Sequence, residues 1–166
     1  MLRLAVGVLL TTVAALLVHE HGHLLAARSL GLHAVSIHLG DGTPWLCWQL
    51  AGVSYSIGRR FWAFGTLRYA GVPGGPWREA WLVSAGSVAN AGAAVLAWPW
   101  AGGLVMNLLA LRPLSTAQLW VLWNLAVGAV SLLPRRRHDG LPSDGLCLWQ
   151  LLRGTVPALG KSRPDR

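Results

Sequence analysis

An apolar run without any charged side chain extends from residue 4 to residue 18, with the sequence LAVGVLLTTVAALLV. Continued to residue 27, the segment reaches about 24 residues, or roughly 36 Å as an α-helix, which is enough to cross the hydrocarbon core of a bilayer. A signal peptide is the alternative interpretation, but no small-x-small cleavage site follows the run cleanly, and cleavage near residue 18 would leave the histidine cluster at a new N-terminus. We therefore expect a retained membrane-spanning helix here.

The composition supports a membrane protein. Of the 166 residues 54% are hydrophobic and only 12% are charged, about half the charged share of a typical soluble domain. The net charge of +8 comes mainly from arginines that flank the apolar runs. This placement is typical of anchoring at the membrane surface and argues against nucleic-acid binding.

Two further apolar segments are candidate spans. They cover residues 80–98, which end at Pro99, and residues 116–133, which end at Pro134. The apolar segment 101–111 is short and rich in glycine, so it leaves a fourth crossing open. Most arginines follow the first and third candidate helices, which predicts an outside N-terminus and a cytoplasmic location for both arginine-rich segments.

Between the first two helices the sequence changes character. Residues 31–79 alternate apolar and polar side chains and are interrupted by glycines, as in GDG at residues 40–42. This pattern predicts short strands joined by glycine turns. We expect residues 1–155 to form one membrane-embedded core, and the polar tail at residues 156–166 to be disordered.

The first apolar run ends in HEHGH at residues 19–23, an H-E-x-x-H motif. His19 and His23 are four residues apart and share one helix face, so their imidazoles can supply two ligands of a tetrahedral Zn²⁺ site. Glu20 is positioned to take a proton from a water molecule at the metal. His21 points elsewhere and is not counted as a ligand. Ionisable side chains inside a span are costly, which favours a functional site.

A catalytic zinc site needs a third protein ligand. Asp139 and Asp144 follow the third candidate helix, on the membrane side where His19 and His23 are expected. Asp144 precedes an apolar run and can cap a helix, whereas Asp139 precedes Gly-Leu-Pro and is typical of a loop. We therefore favour Asp144. The remaining candidates are Asp41, His33, His38 and His138.

These motifs resemble those of the site-2 protease family of intramembrane zinc metalloproteases. Besides HEHGH, the segment SAGSVANAG resembles the family's A-G-P-x-x-N motif, with Gly86 and Asn90 present and Ser87 in place of the proline. The segment SLLPRRRHDGLPSDG resembles the N-L-L-P…D-G motif that carries the third ligand. Here the spacing after the proline points to Asp139, and the helix after D-G points to Asp144.

The resemblance implies an all-α polytopic membrane protein. Its three or four transmembrane helices would carry a small membrane-associated β-hairpin between the first and second helices. It also implies one Zn²⁺ per chain, held by His19, His23 and Asp144, with Glu20 and Asn90 as catalytic residues. For Asn90 a helix-packing role is the alternative. We read Asn124 as an interhelical hydrogen-bonding residue.

The implied function is that of a zinc endopeptidase that cuts a membrane-spanning or membrane-tethered substrate near the cytoplasmic face of the cell membrane. The expected partners are a membrane protein or peptide substrate, the lipid bilayer, and a gating partner or a second copy of the chain. The alternative is a non-catalytic metal-binding or metal-transporting membrane protein. Its weakness is that the outer half of the first helix offers only Thr11 and Thr12 as polar residues.

Overall fold

The computed structural model describes residues 2–137 and 140–155, with side chains from residue 5 onward. The tail at residues 156–166 and the loop residues 138–139 lie outside the described part. The elements, in chain order, are α1 (Leu2–Ser29), β1 (His33–Leu39), β2 (Asp41–Leu50), β3 (Val53–Arg59), β4 (Gly65–Ala70), α2 (Pro76–Ala97), a 3₁₀ turn (Trp98–Trp100), α3 (Leu104–Leu109), α4 (Thr116–Ser131) and α5 (Asp144–Leu152).

Two helical segments are long and apolar enough to cross a membrane. They are Ala5–Ser29 and Pro76–Trp100, each of 25 residues, or roughly 37 Å of helix. Pro76 lies in the first turn of α2, where its missing N–H costs no hydrogen bond. The first and second predicted spans are therefore present as long apolar helices.

The third and fourth predicted spans have a different outcome. Helix α4 has 16 residues, about 24 Å, which is short for a crossing. It begins at a capping box between Ser115 and Gln118. The segment 101–111, where the sequence left a fourth crossing open, forms only the six-residue helix α3, which is too short to cross a bilayer. Gly103, with φ of 72°, is the N-cap of α3 and separates this helix from the preceding 3₁₀ turn. The crossing by α4 stays a prediction.

The segment between α1 and α2 is a four-stranded mixed sheet in the order β2-β3-β1-β4. The fold is therefore not purely all-α, and the β element is larger than the small hairpin expected. Strands β2 and β3 form a hairpin through Ala51 and Gly52, both with positive φ, as a tight two-residue turn requires. Strand β1 then pairs parallel to β3 and antiparallel to β4. Strand periodicity locates the strands, but these pairings join strands that are not neighbours in sequence.

One face of the sheet packs against α1. Leu16 and Leu24 of the helix contact Ile37 and Val53 of the sheet in a buried apolar cluster. Strand β2, at one edge, remains exposed along almost its whole length. The opposite edge, β4, lies against the second half of α1, with Gly65 beside Glu20, which brings the sheet next to the H-E-x-x-H motif.

Small residues allow the helices to approach closely. A Cβ atom at Gly22 would collide with the carbonyl oxygen of Ala85, so α1 and α2 contact each other backbone to backbone there. Gly128 of α4 lies against the side chain of Asn90 in α2. Because lipid offers no hydrophobic driving force between helices, such close packing is a main source of their association in a membrane.

Candidate metal centre and active site

His19 and His23 lie one turn apart on α1 and are almost inaccessible to solvent, with 5% and 9% of their surface exposed. Their Nε2 atoms are 3.1 Å apart. His23 Nδ1 donates to the carbonyl oxygen of Leu82 at 2.7 Å, and His19 Nδ1 donates to Asn90 Oδ1 at 2.8 Å. Both rings are therefore held by contacts with α2, and both direct Nε2 to the same point.

Asp144 is brought to this point by the start of α5, 125 positions away from His19 along the chain. Its Oδ2 atom lies 2.9 Å from His19 Nε2 and 3.4 Å from His23 Nε2. Burial on its own would raise the pKa of Asp144, but the hydrogen bonds to His19 and His23 hold that pKa below its usual range. The carboxylate is therefore ionised, as a metal ligand must be.

The N-cap of α5 is Ser143, one residue earlier than the Asp144 proposed from the sequence. The Ser143 hydroxyl accepts from the backbone N–H of Leu146, and Asp144 is the first helical residue. Since Ser143 satisfies the helix end, the carboxylate of Asp144 is left to face the histidines. A Cβ atom at Gly145 would collide with the backbone of Leu132, so the start of α5 lies tightly against the end of α4.

The chemistry of this donor set fits a zinc ion. Each Nδ1 faces an oxygen acceptor and so carries a hydrogen, which leaves Nε2 of each ring as the atom able to bind a metal. Two imidazole nitrogens and one carboxylate are donor types that Zn²⁺ takes in catalytic sites. Tetrahedral Zn²⁺ with bonds of about 2.0–2.1 Å separates its ligand atoms by roughly 3.3 Å. The separations here, 2.9, 3.1 and 3.4 Å, agree with that spacing.

Other predicted ligands are placed elsewhere or are not described. Asp139 and His138 lie outside the described residues. His38 bonds to Ser56 across the sheet, and Asp41 forms an ion pair with Arg60. Within residues 2–137 and 140–155, the group able to hold a metal consists of His19, His23 and Asp144.

Glu20 lies beside the histidines and is 3% exposed. It packs against Gly65 at the start of β4, where a Cβ atom would come within 2.5–2.7 Å of the Glu20 carboxyl group. The glycine therefore makes room for the carboxylate between α1 and the sheet edge. No sequence pattern marks Gly65 for this role, because the contact joins elements that are 45 residues apart in sequence.

A cavity of about 730 Å³ opens onto this cluster. His19, Glu20, His23 and Asp144 line its polar end, and its apolar walls come from α1, β4 and α4. Arg137 closes one side of it. The guanidinium donates to the carbonyl oxygen of Gly65 and to Thr66 Oγ1, both at 2.9 Å. This bridge ties the loop after α4 to the edge strand β4. The sequence shows it only as part of an arginine run.

Asn90 has a position that the sequence did not indicate. It is fully buried, does not line the cavity, and binds His19 from behind. Its Nδ2 atom donates to the carbonyl oxygen of Ala15 at 2.9 Å and to Asn124 Oδ1 at 2.8 Å. This geometry favours a role in holding His19 over contact with the scissile peptide. The interhelical hydrogen bond predicted for Asn124 is confirmed.

His21 is directed away from the cluster, as its spacing predicts. Its Nδ1 atom donates to the carbonyl oxygen of Leu17, and its Nε2 atom lies 3.1 Å from the hydroxyl of Tyr55 in β3. His21 thus joins α1 to the sheet.

Comparison with known proteins places this site in a family. A stretch of 53 residues, 32% of the chain, is 47% identical to a protein of Synechocystis sp. named "Putative zinc metalloprotease slr1821". That stretch spans 14% of the relative's length. The model of the family described as Peptidase family M50 matches residues 7–108, which include the H-E-x-x-H motif and Asn90. Since this match covers more than half of the chain, the protein belongs to peptidase family M50.

Proposed function

We propose that the protein is a membrane-embedded zinc endopeptidase that hydrolyses a peptide bond of a membrane-spanning or membrane-tethered substrate. The observation that carries this proposal is the convergence of His19, His23 and Asp144 at the polar end of a cavity that also contains Glu20. Proteases of family M50 are integral membrane proteins, and the two long apolar helices agree with that setting.

The chain's own residues have separate tasks in this reaction. Nε2 of His19, Nε2 of His23 and the carboxylate of Asp144 would hold the ion, which leaves one position open. When bound, Zn²⁺ supplies a Lewis acid that polarises the scissile carbonyl and activates a water molecule. Glu20 accepts the proton of the attacking water and then passes it to the leaving amine nitrogen. The fit against Gly65 keeps the Glu20 carboxylate in place for both transfers.

The proposed substrate is an extended segment of a membrane protein or tethered peptide. A peptide bond inside a helix is shielded by neighbouring turns, so the substrate helix must unwind before cleavage. The arginine distribution supports a site towards the cytoplasmic face of the cell membrane, with the N-terminus outside. A gating partner or a second copy of the chain would control access to the cavity.

The first test combines metal analysis with a cleavage assay in proteoliposomes that contain a membrane-tethered reporter peptide. Wild type is expected to hold about one zinc per chain. Glu20→Gln should keep the zinc, because Glu20 is not a ligand, and should lose about 10²- to 10⁴-fold in cleavage rate, the usual range for a general base. His21→Gln is the matched control, because it changes the same motif on the face that binds Tyr55. Its zinc content and cleavage rate should stay close to wild type.

Two results would contradict the proposal. Cleavage by Glu20→Gln at the wild-type rate would remove the assigned base. Wild type without zinc after reconstitution would remove the metal centre. Zinc binding without cleavage of any membrane-tethered reporter would favour the non-catalytic metal-binding or metal-transporting alternative.

The third ligand is tested in the same way. Asp144→Ala is expected to lose most of the bound zinc, whereas Asp139→Ala should retain it. The reverse outcome would move the ligand to Asp139 and leave the rest of the mechanism intact.

A further inference from the structure

A chain of directional hydrogen bonds runs from α4 through α2 to His19. Asn124 Nδ2 donates to the carbonyl oxygen of Trp120 at 2.9 Å, which leaves Asn124 Oδ1 to accept from Asn90 Nδ2 at 2.8 Å. Asn90 Oδ1 in turn accepts from His19 Nδ1 at 2.8 Å. Both asparagines are completely buried.

The orientation of each amide in this chain is determined by its neighbours. If the Asn90 amide were rotated by 180°, its oxygen would face the carbonyl oxygen of Ala15 and the amide oxygen of Asn124, and both pairs would repel. A rotated Asn124 would likewise place its amide oxygen against the carbonyl oxygen of Trp120 and its Nδ2 atom against Asn90 Nδ2. Buried polar groups left without partners are costly, so one direction of the chain is strongly preferred.

The consequence reaches the metal cluster. With Asn90 Oδ1 fixed as an acceptor, His19 carries a hydrogen on Nδ1, which leaves Nε2, the atom that faces His23 and Asp144, to bind the metal. His23 needs no such chain, because the backbone oxygen of Leu82 accepts from its Nδ1 directly. Partners behind a histidine ligand commonly set its tautomer and ring orientation, and their loss costs about 10- to 100-fold in metal affinity.

We propose that Asn124 and Asn90 are positioning residues that set the tautomer and orientation of His19 for zinc binding. Asn124 acts at a distance, through the amide of Asn90. The inference rests on the proposed metal centre, and it assigns a function in that centre to α4, which supplies none of the three ligands.

The competing explanation is that the asparagines only pack α2 against α4. The structure offers a matched control for this explanation. Ser87 of α2 is also buried, and its hydroxyl bonds to Ser131 Oγ at 2.8 Å and to the carbonyl oxygen of Gly128 at 3.2 Å in α4. It joins the same two helices but has no hydrogen bond to the histidines or to Asp144. Ser87→Ala therefore removes an interhelical contact and leaves the hydrogen bonds from Asn124 through Asn90 to His19 in place.

The experiment measures the zinc Kd of the full chain in detergent by competition with a chelator. Asn124→Leu and the smaller Asn124→Ala should each weaken zinc binding about tenfold, and Asn90→Leu up to about 100-fold. The double variant Asn90→Leu/Asn124→Leu should bind zinc no more weakly than Asn90→Leu, because Asn124 acts through Asn90. Asn124→Asp should keep zinc binding close to that of wild type. As a neutral buried carboxyl it still accepts from Asn90 and donates to Trp120.

A spectroscopic readout separates positioning from packing. In the Co²⁺-loaded protein the visible absorption bands should change in Asn124→Ala and stay as in wild type for Ser87→Ala. Wild-type Kd and Co²⁺ spectrum in both Asn124→Ala and Asn124→Leu would overturn the inference. A loss of zinc affinity in Ser87→Ala as large as that in Asn124→Ala would overturn it too. If either of these results is obtained while wild type binds zinc and cleaves its reporter, the positioning role of Asn124 and Asn90 is rejected and the proposed function stands.

Discussion

At the residue scale, the metal cluster depends on what lies behind each ligand. His23 is held by a backbone carbonyl, His19 by a buried amide, and Asp144 by its place in the first turn of α5. The glycine of the SAGSVANAG segment completes this arrangement, since Gly86 lies directly against both imidazoles.

We expect Gly86→Ala to abolish most zinc binding. The added Cβ atom would come within 2.5 Å of His23 Nε2 and 2.6 Å of His19 Nε2, so one of the ligands must move. Gly92→Ala is the matched control on the same helix, because a Cβ atom there meets nothing within 4 Å. Equal zinc content in the two variants, measured by atomic absorption, would contradict the placement of α2.

Cys147 provides a pH-dependent prediction one turn into α5. Burial, helped by the negative charges of Asp144 and Glu79, raises the pKa of its thiol to about 11. Because the thiolate is the reactive form, N-ethylmaleimide at pH 8 should label the exposed Cys47 and leave Cys147 unmodified. Labelling of Cys147 should increase as the pH rises towards 11. Mass spectrometry of the labelled peptides checks this.

The labelling has an internal control. After denaturation in detergent and heat, both cysteines should react. Equal labelling of Cys47 and Cys147 in the folded protein would show that α5 does not pack as described.

At the scale of elements, the sheet edge and the motif helix form one unit. Strand β4 places Gly65 against Glu20. Arg137, in the loop after α4, ties that loop to Gly65 and Thr66 of the same strand. The alternation of residues 31–79 indicates strands, but it does not indicate which of them becomes an edge beside the active site.

We expect Gly65→Ala to reduce cleavage while leaving zinc binding intact. Ordinary Cβ contacts start near 3.4 Å, so the Glu20 carboxylate must move by roughly 1 Å. A displacement of that size can cost about 100-fold in rate. Zinc content therefore distinguishes the two glycine variants, because Gly86→Ala is expected to lose the metal and Gly65→Ala to keep it. A cleavage rate for Gly65→Ala equal to wild type would show that Glu20 is not held by β4.

At the scale of the whole molecule, the proposed zinc ion joins the first helix to the last. Its ligands come from α1 and α5, and both of these helices also pack against α2. Metal bound by the folded state alone adds to the free energy of unfolding by mass action.

We therefore expect zinc at 100 times its Kd to raise the free energy of unfolding by about 2.7 kcal/mol over the chelator-treated protein. Thermal unfolding in detergent, followed by circular dichroism, measures the shift. Asp144→Asn is the control, since it keeps the size of the side chain but weakens the ligand. A shift in Asp144→Asn as large as in wild type would place the stabilising zinc elsewhere.

Several parts of this architecture could be read from local spacing. Helix α1, the shared face of His19 and His23, and the small residues of α2 follow from periods of three to four residues, which backbone geometry translates directly into a helix face. The same rule explains why His21 could be set aside. The family resemblance reached Asn90 through its motif, and the two candidate aspartates followed from their position after the third candidate helix. Neither the motif nor that position gave the contacts of these residues.

Local sequence patterns were therefore enough to predict long apolar helices and a motif of two histidines and one glutamate towards the end of the first helix. The strand order, the convergence of Asp144 with the two histidines and the placement of Asn90 behind His19 emerge only in the folded chain. These features join residues dozens of positions apart. Their pairing depends on how whole surfaces pack and on which buried polar groups find partners, and no local period encodes that outcome.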